Sequence, residues 1–207
     1  MVFNRVQNLY HIGRAKWYDP FKGLWNIIVG EKSEKALLQF LKENLKESGN
    51  ILDMGCGTGL NLQTIIKLDL PFRCYRGLDF SDNMLDIARQ KFSGKTNIQF
   101  EKRDLTDLSN MNEKFDIIIC TWVISHLPDP VFFVNQAQKF LNKNGKMFLV
   151  FFGKPQKWIN FWLEPLAKYL FMSKPIENDK ITQFKNVTNR HLYAFGITDC
   201  LEIKMPI

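Results

Sequence analysis

Ile51-Leu52-Asp53-Met54-Gly55-Cys56-Gly57-Thr58-Gly59 decides the fold of this 207-residue chain. Asn50 to Met54 reads as a short buried strand that runs directly into glycines at alternate positions, and Leu60 to Leu68 then carries apolar residues at helical spacing. Strand, glycine turn and helix open a βα unit whose turn brings bare backbone and a helix N-terminus up to a ligand. A dinucleotide-binding turn reads G-x-G-x-x-G/A, its third small residue letting the helix pack on the strand. Here the pattern is G-x-G-x-G, Leu60 stands where that small residue belongs, and Asp53 lies two positions ahead of the first glycine. A carboxylate at that point repels a pyrophosphate and suits a ligand that carries positive charge.

Working outward, Lys32 to Leu45 places Ala36, Leu37, Leu38, Phe40, Leu41 and Leu45 at helical spacing before a Ser48-Gly49 stop. Downstream, Phe72 to Phe80 is a second strand. Ser81-Asp82-Asn83 is a helix N-cap signature leading into Met84, Leu85, Ile87 and Ala88. Asn97 to Phe100 and Phe115 to Cys120 are the third and fourth strands. Pro130 starts a helix closed by the Asn142-Lys143-Asn144-Gly145 turn, and Lys146 to Phe152 is the fifth strand. Apolar strands that alternate with helices indicate a doubly wound, mostly parallel α/β sheet with helices on both faces. Such sheets bind ligands at the carboxyl ends of their strands, beside the switch point next to the first strand.

Two further acids fall at those ends. Asp79 closes the second strand twenty residues after Gly59, the place from which a carboxylate bridges a ribose diol. Glu101-Lys102-Arg103-Asp104-Leu105 follows the third strand and offers one more acid to the same pocket.

These stretches resemble the class I S-adenosylmethionine-dependent methyltransferases. Ile51 to Gly59 resembles their motif I, and Gly77-Leu78-Asp79-Phe80-Ser81 with Met84 their motif II. Arg103-Asp104-Leu105 is similar to the adenine-contacting motif. Phe115 to Ile119 followed by Ser125-His126-Leu127-Pro128-Asp129-Pro130 is similar to the strand-four region. The likeness covers about residues 32–153 and points to the small-molecule branch that includes ubiquinone/menaquinone and phospholipid enzymes. It implies S-adenosylmethionine as cofactor, S-adenosylhomocysteine as product, and no metal. Gly55, Gly57 and Gly59 would then approach the methionine part, with Asp53 near its ammonium group. Asp79 would accept from both ribose hydroxyls. Phe80 and Met84 would flank the adenine, Asp104 would accept from its amine, and the Leu105 amide would meet a ring nitrogen. Thr121, at the end of strand four, and Tyr18, in a Trp17-Tyr18-Asp19 similar to the Tyr-Asp near the start of many members, complete the implied cofactor-side set.

The resemblance divides the chain, as one domain, into an N-terminal cap (1–33), a cofactor-binding core (34–153), an aromatic insertion or lid (154–190) and a C-terminal strand region (191–207). The family sheet ends in two further strands, in the order 3-2-1-4-5-7-6. Here Asp199 to Ile207 supplies about one, so the last antiparallel strand is expected to be missing.

Methyl transfer from a sulfonium is an in-line displacement with a donor already activated, so a base is needed only for a weakly acidic or protonated acceptor. His126, just after strand four, is the candidate catalytic base, against a plain role in capping its turn. The acceptor is expected to be small or lipid-like. The reason is the segment Trp158 to Met172, whose Trp158, Trp162, Leu166, Tyr169 and Leu170 exceed what a connector needs and are bordered by Lys154, Lys157, Lys168 and Lys174.

Composition sets the outer bounds. No apolar run approaches the roughly 18–20 residues of a membrane span, and residues 1–20 lack the apolar stretch of a secretory signal, so a cytoplasmic protein is expected. The four cysteines and three histidines are dispersed, without a C-x-x-C pair, which fits neither a disulfide framework nor a zinc site. Net charge is +7, with the excess of Lys and Arg near both ends. That balance admits nucleic acid or peripheral contact with an anionic membrane; a solvated lysine-rich surface is the plainer reading. An RNA or protein methyltransferase, or a cofactor-binding protein without turnover, are the alternatives. Cys120-Thr121-Trp122-Val123 stands where enzymes that methylate base amines carry Asn/Asp-Pro-Pro-Tyr/Phe.

Overall fold

The computed structural model describes residues 30–155, 161 and 173–205. Helix α1 (Glu31–Asn44) buries Leu37, Phe40 and Leu41 on one stripe and turns its lysines and glutamates outward. Strand β1 (Asn50–Met54) follows, then α2 (Leu60–Lys67), β2 (Cys74–Asp79), α3 (Asp82–Lys91) and β3 (Ile98–Lys102). The chain then crosses to β4 (Phe115–Thr121), a short 3₁₀ turn (Ile124–His126), α4 (Pro130–Ala137) and β5 (Leu141–Phe152). It ends in α5 (Asn178–Ile181) and a hairpin of β6 (Val187–Tyr193) and β7 (Thr198–Lys204).

The caps follow the local chemistry. Ser81 Oγ accepts the Met84 N–H at the start of α3, and Asp129 Oδ1 accepts the Phe132 N–H ahead of Pro130 in α4. Those bonds satisfy N–H groups that the helix itself leaves without partners.

The seven strands run in the order β3-β2-β1-β4-β5-β7-β6. The first five are mutually parallel, and β7 runs antiparallel between β5 and β6. Each face of the sheet carries its own apolar cluster. One is built on Leu52, Leu78, Ile118 and Leu149 with α4 and α5; the other is built on Ile51, Tyr75, Ile119 and Phe148 with α1 and α2. Side chains alternate along each strand, so one sheet supplies both cores.

Two expectations are corrected. The sheet does not lack its last antiparallel strand: β6 pairs along β7 from Val187↔Ile203 to Tyr193↔Thr198. It was missed because Val187-Thr188-Asn189-Arg190-His191-Leu192-Tyr193 holds no apolar run. At the sheet edge six of its seven residues are exposed, so its backbone pairing was not written in hydrophobicity. It also straddles residue 190, the boundary drawn between insertion and C-terminal strand. Second, the Asn142 to Gly145 turn does not precede β5 but lies within it. Phe115 pairs with Leu141 and Ile117 with Lys146, and the extra residues bulge out with Asn144 at φ +67°.

Candidate functional site

The chain visits β2 and β3 on one side of β1 and then returns to β4 on the other, so the sheet switches direction between β1 and β4. The segments after β1, β2, β3 and β4 therefore emerge side by side at the carboxyl edge. They bring together Asp53, the glycine loop, Asp79, Phe80, Met84, Asp104, Leu105, Thr121 and His126.

The loop is fixed by its backbone. Gly55, Gly57 and Gly59 have φ of +79°, +54° and +81°, and the N–H groups of Gly55 and Cys56 both donate to Leu78 O at the end of β2. At Gly55 a Cβ would stand 2.2 Å from Val123 Cγ2, and at Gly59 it would stand 2.6 Å from Phe92. Glycine is required at both by conformation and by contact.

Asp79 is buried, and its carboxylate spans loop and helix. Gly57 N–H donates to Oδ2 and Ser81 N–H to Oδ1, each at 2.9 Å. Burial raises its pKa above the ordinary carboxylate value, and the backbone N–H groups work against that rise. The Phe80 N–H adds to these two donors, and a carboxylate offers about four acceptor directions, so acceptor capacity remains for a hydroxyl of a bound nucleoside.

Asp53 closes the approach to the glycine loop at the end of β1. It is fully buried, and its Oδ2 accepts the Tyr75 hydroxyl at 2.7 Å. Asn61 Nδ2 donates to both of its oxygens, at 3.1 and 3.3 Å, and to Thr121 Oγ1 at 3.2 Å. Tyr75 and Asn61 were not singled out by the sequence reading. A signal existed for Tyr75: with Gly77 and Asp79 it shares one face of β2, and a tyrosine on a buried face needs a partner for its hydroxyl.

Of the remaining positions, Met84 is buried in the first turn of α3, Phe80 is half-buried, and Leu105 packs into the core. Asp104 is exposed and uses Oδ1 to accept both the N–H and the hydroxyl of Thr106. His126 ends the 3₁₀ turn after β4, half-buried, its N–H donating to Val123 O. Trp122, between Thr121 and Val123, holds φ +63°, a left-handed conformation uncommon for a bulky residue and frequent at functional sites. Burial pushes the thiols of Cys56 and Cys120 well above their usual range, so neither is a thiolate nucleophile at neutral pH. Tyr18 and the aromatic segment Trp158 to Met172, apart from exposed Phe161, lie outside the described residues. Among the described residues no group of three or more His, Cys, Asp and Glu side chains gathers around a possible metal position, and no helix is long and apolar enough to cross a membrane.

A family model of a methyltransferase domain matches residues 52–147, from within β1 to within β5, including the glycine loop and the carboxyl ends of β1 to β4. A ubiquinone biosynthesis O-methyltransferase of Pelagibacter ubique is 30% identical over 179 residues, covering 78% of this chain and 69% of that protein. This chain belongs to the class I S-adenosylmethionine-dependent methyltransferases. A ubiquinone biosynthesis O-methyltransferase of Coxiella burnetii is 25% identical over 184 residues, 86% of this methyltransferase and 77% of the relative. In fold, the methyltransferase is similar to magnesium protoporphyrin IX methyltransferase from Synechocystis, solved with bound S-adenosylhomocysteine. That match has a TM-score of 0.70 at 16% identity, over 98% of this chain and 99% of the other.

Proposed function

We propose that this methyltransferase transfers a methyl group to a nucleophilic atom of a small or lipid-like acceptor. The observation that carries the donor side is the Asp79 carboxylate, anchored between the glycine loop and the N-terminus of α3 at the end of β2, the place from which a carboxylate reads a ribose. Gly55, Gly57 and Gly59 give the methionine part a side-chain-free approach. Asp53 lies near its ammonium group, Phe80 and Met84 enclose the adenine, and Asp104 and the Leu105 amide read its polar edge. Thr121 and Tyr18 complete that set. When bound, S-adenosylmethionine supplies an electrophilic methyl on a sulfonium. The chain contributes orientation and exclusion of water around the line of displacement.

On the acceptor side, the relatives are named for O-methylation in ubiquinone biosynthesis, which supports a hydroxyl on a molecule with an apolar body. A phenolic or alcoholic hydroxyl loses its proton as the new bond forms. His126, on the turn leaving β4, is the titratable side chain we assign to accept it. The aromatic residues from Trp158 to Met172, bordered by lysines, suit an apolar acceptor with a polar or anionic head.

Methyl transfer from labelled S-adenosylmethionine should be followed in parallel to a polyprenylated catechol, a phospholipid extract and total RNA. Label in the catechol or lipid fraction is expected. Label confined to RNA would replace the acceptor reading while keeping the donor site. With the accepted substrate, His126→Ala should lower kcat about 10²-fold or more and remove the acidic limb of the pH–rate profile, where protonation silences a base. An unchanged profile would return His126 to a turn-capping role.

A further inference from the structure

We propose that Tyr75 and Asn61 are positioning residues that hold the Asp53 carboxylate in the orientation that reads the amino group of the cofactor's methionine part. This rests on the cofactor assignment above. Three elements converge on one side chain at the carboxyl end of β1: Tyr75 from β2, Asn61 from the first turn of α2, and Thr121 from the end of β4 through the same Asn61 amide. The donor directions are fixed by chemistry. Ionised Asp53 only accepts, so the Asn61 NH₂ end must face it, and that end then also reaches the Thr121 hydroxyl oxygen.

Tyr75 cannot change roles with pH in the working range. Its ring is fully buried beside Phe100, and burial together with the neighbouring Asp53 pushes its phenol well above the ordinary tyrosine value. It remains an O–H donor and never a competing anion. A buried carboxylate left without donors would neutralise itself by taking up a proton, which would end its attraction for an ammonium group. Tyr75 and Asn61 are neutral donors, so their hydrogen bonds stabilise the anion without themselves adding charge. An arginine or lysine in the same place would neutralise the charge that the cofactor's ammonium is meant to find. Gly77, level with Asp53 on β2, leaves room for Cys56 and for the Phe100 ring that packs on Tyr75: a Cβ there would come within 2.8 Å of Cys56 Sγ and 2.9 Å of Phe100 Cδ1.

The test separates the amino-acid end of the cofactor from its nucleoside end. Calorimetry should compare S-adenosylhomocysteine with 5′-methylthioadenosine, which keeps adenine, ribose and sulfur but has no ammonium or carboxylate. In Tyr75→Phe, which keeps the ring and its packing, S-adenosylhomocysteine should bind about tenfold more weakly, the scale of one hydrogen bond to a charged group, while 5′-methylthioadenosine binds as in the parent. Asn61→Ala, altering a half-buried helix position, should give the same split without touching the core. Parallel weakening of both ligands, or no change in either, would overturn the positioning role and leave Tyr75 and Asn61 as supports of the sheet. Failure of the parent protein to bind either ligand would instead overturn the cofactor assignment, and the proposal with it.

Discussion

At Asp79 the cost to the fold and the gain to the site come from one carboxylate. Burial raises its pKa above 3.8, so its ionised form is disfavoured in the folded protein relative to the unfolded chain. The sign follows: as pH rises through the interval between the unfolded and the raised folded value, the fold loses the stability that protonated Asp79 allowed. Cofactor binding runs the other way, because only the carboxylate accepts from the ribose. S-adenosylhomocysteine affinity should therefore fall on acidification at a higher pH than for an ordinary aspartate. Asp79→Ala should remove that dependence and weaken binding by about 1.5–3 kcal/mol, the range for hydrogen bonds to a charged group. Calorimetry across pH 4–8 checks both, and equal affinity for parent and variant would contradict the ribose assignment. The same scale shows what residue types announce by themselves. Asp79 was legible because its distance from the glycines is a chain property. The burial of Asp53 was not, because it depends on Tyr75 and Asn61 arriving from other elements.

The strand–loop–helix element from β1 to α2 is held by conformation more than by contacts. Gly55 combines a left-handed backbone with a contact to Val123 on the loop after β4, so any side chain is both strained and obstructed. Gly55→Ala should destabilise the protein by about 1–3 kcal/mol from the backbone alone, and more where Val123 must move. Because Val123 lies between Thr121 and His126, the shift should also reach the acceptor side. Thermal denaturation and cofactor titration together test this. A variant with the parent's melting temperature and affinity would show that the loop tolerates a different path. The alternate glycines made this element readable in the sequence, since glycines between a buried strand and a helix mark a turn whose backbone other residues rarely adopt. The irregular pairing of β5 was not readable, because the bulge is set by where Phe115 and Ile117 find partners across the sheet.

For the whole molecule, the β6–β7 hairpin closes the sheet and caps the edge of β5. Its anchor is Asp199, fully buried where β7 begins, whose two oxygens take three hydrogen bonds from Arg190 at 2.6–3.1 Å; Arg190 also donates to Asn178 of α5. Burial raises the Asp199 pKa and Arg190 opposes that rise. Arg190→Gln should leave the carboxylate under-solvated and cost about 1.5–3 kcal/mol, while Arg190→Gln with Asp199→Asn should recover part of it. Denaturant unfolding of Arg190→Gln, Asp199→Asn and the double variant checks the coupling, and additive losses would show that the pair is not a unit. The sequence by itself determined the alternation of strands and helices, the glycine loop and its acids, because these depend on period, spacing and residue type along a short length of chain. Only the tertiary structure decided that Val187 to Tyr193 is a strand, that Asp53 is held by Tyr75 and Asn61, and that Arg190 balances Asp199. Each of these depends on groups from separate elements meeting through backbone pairing or polar contacts, which period and residue type along one segment do not show.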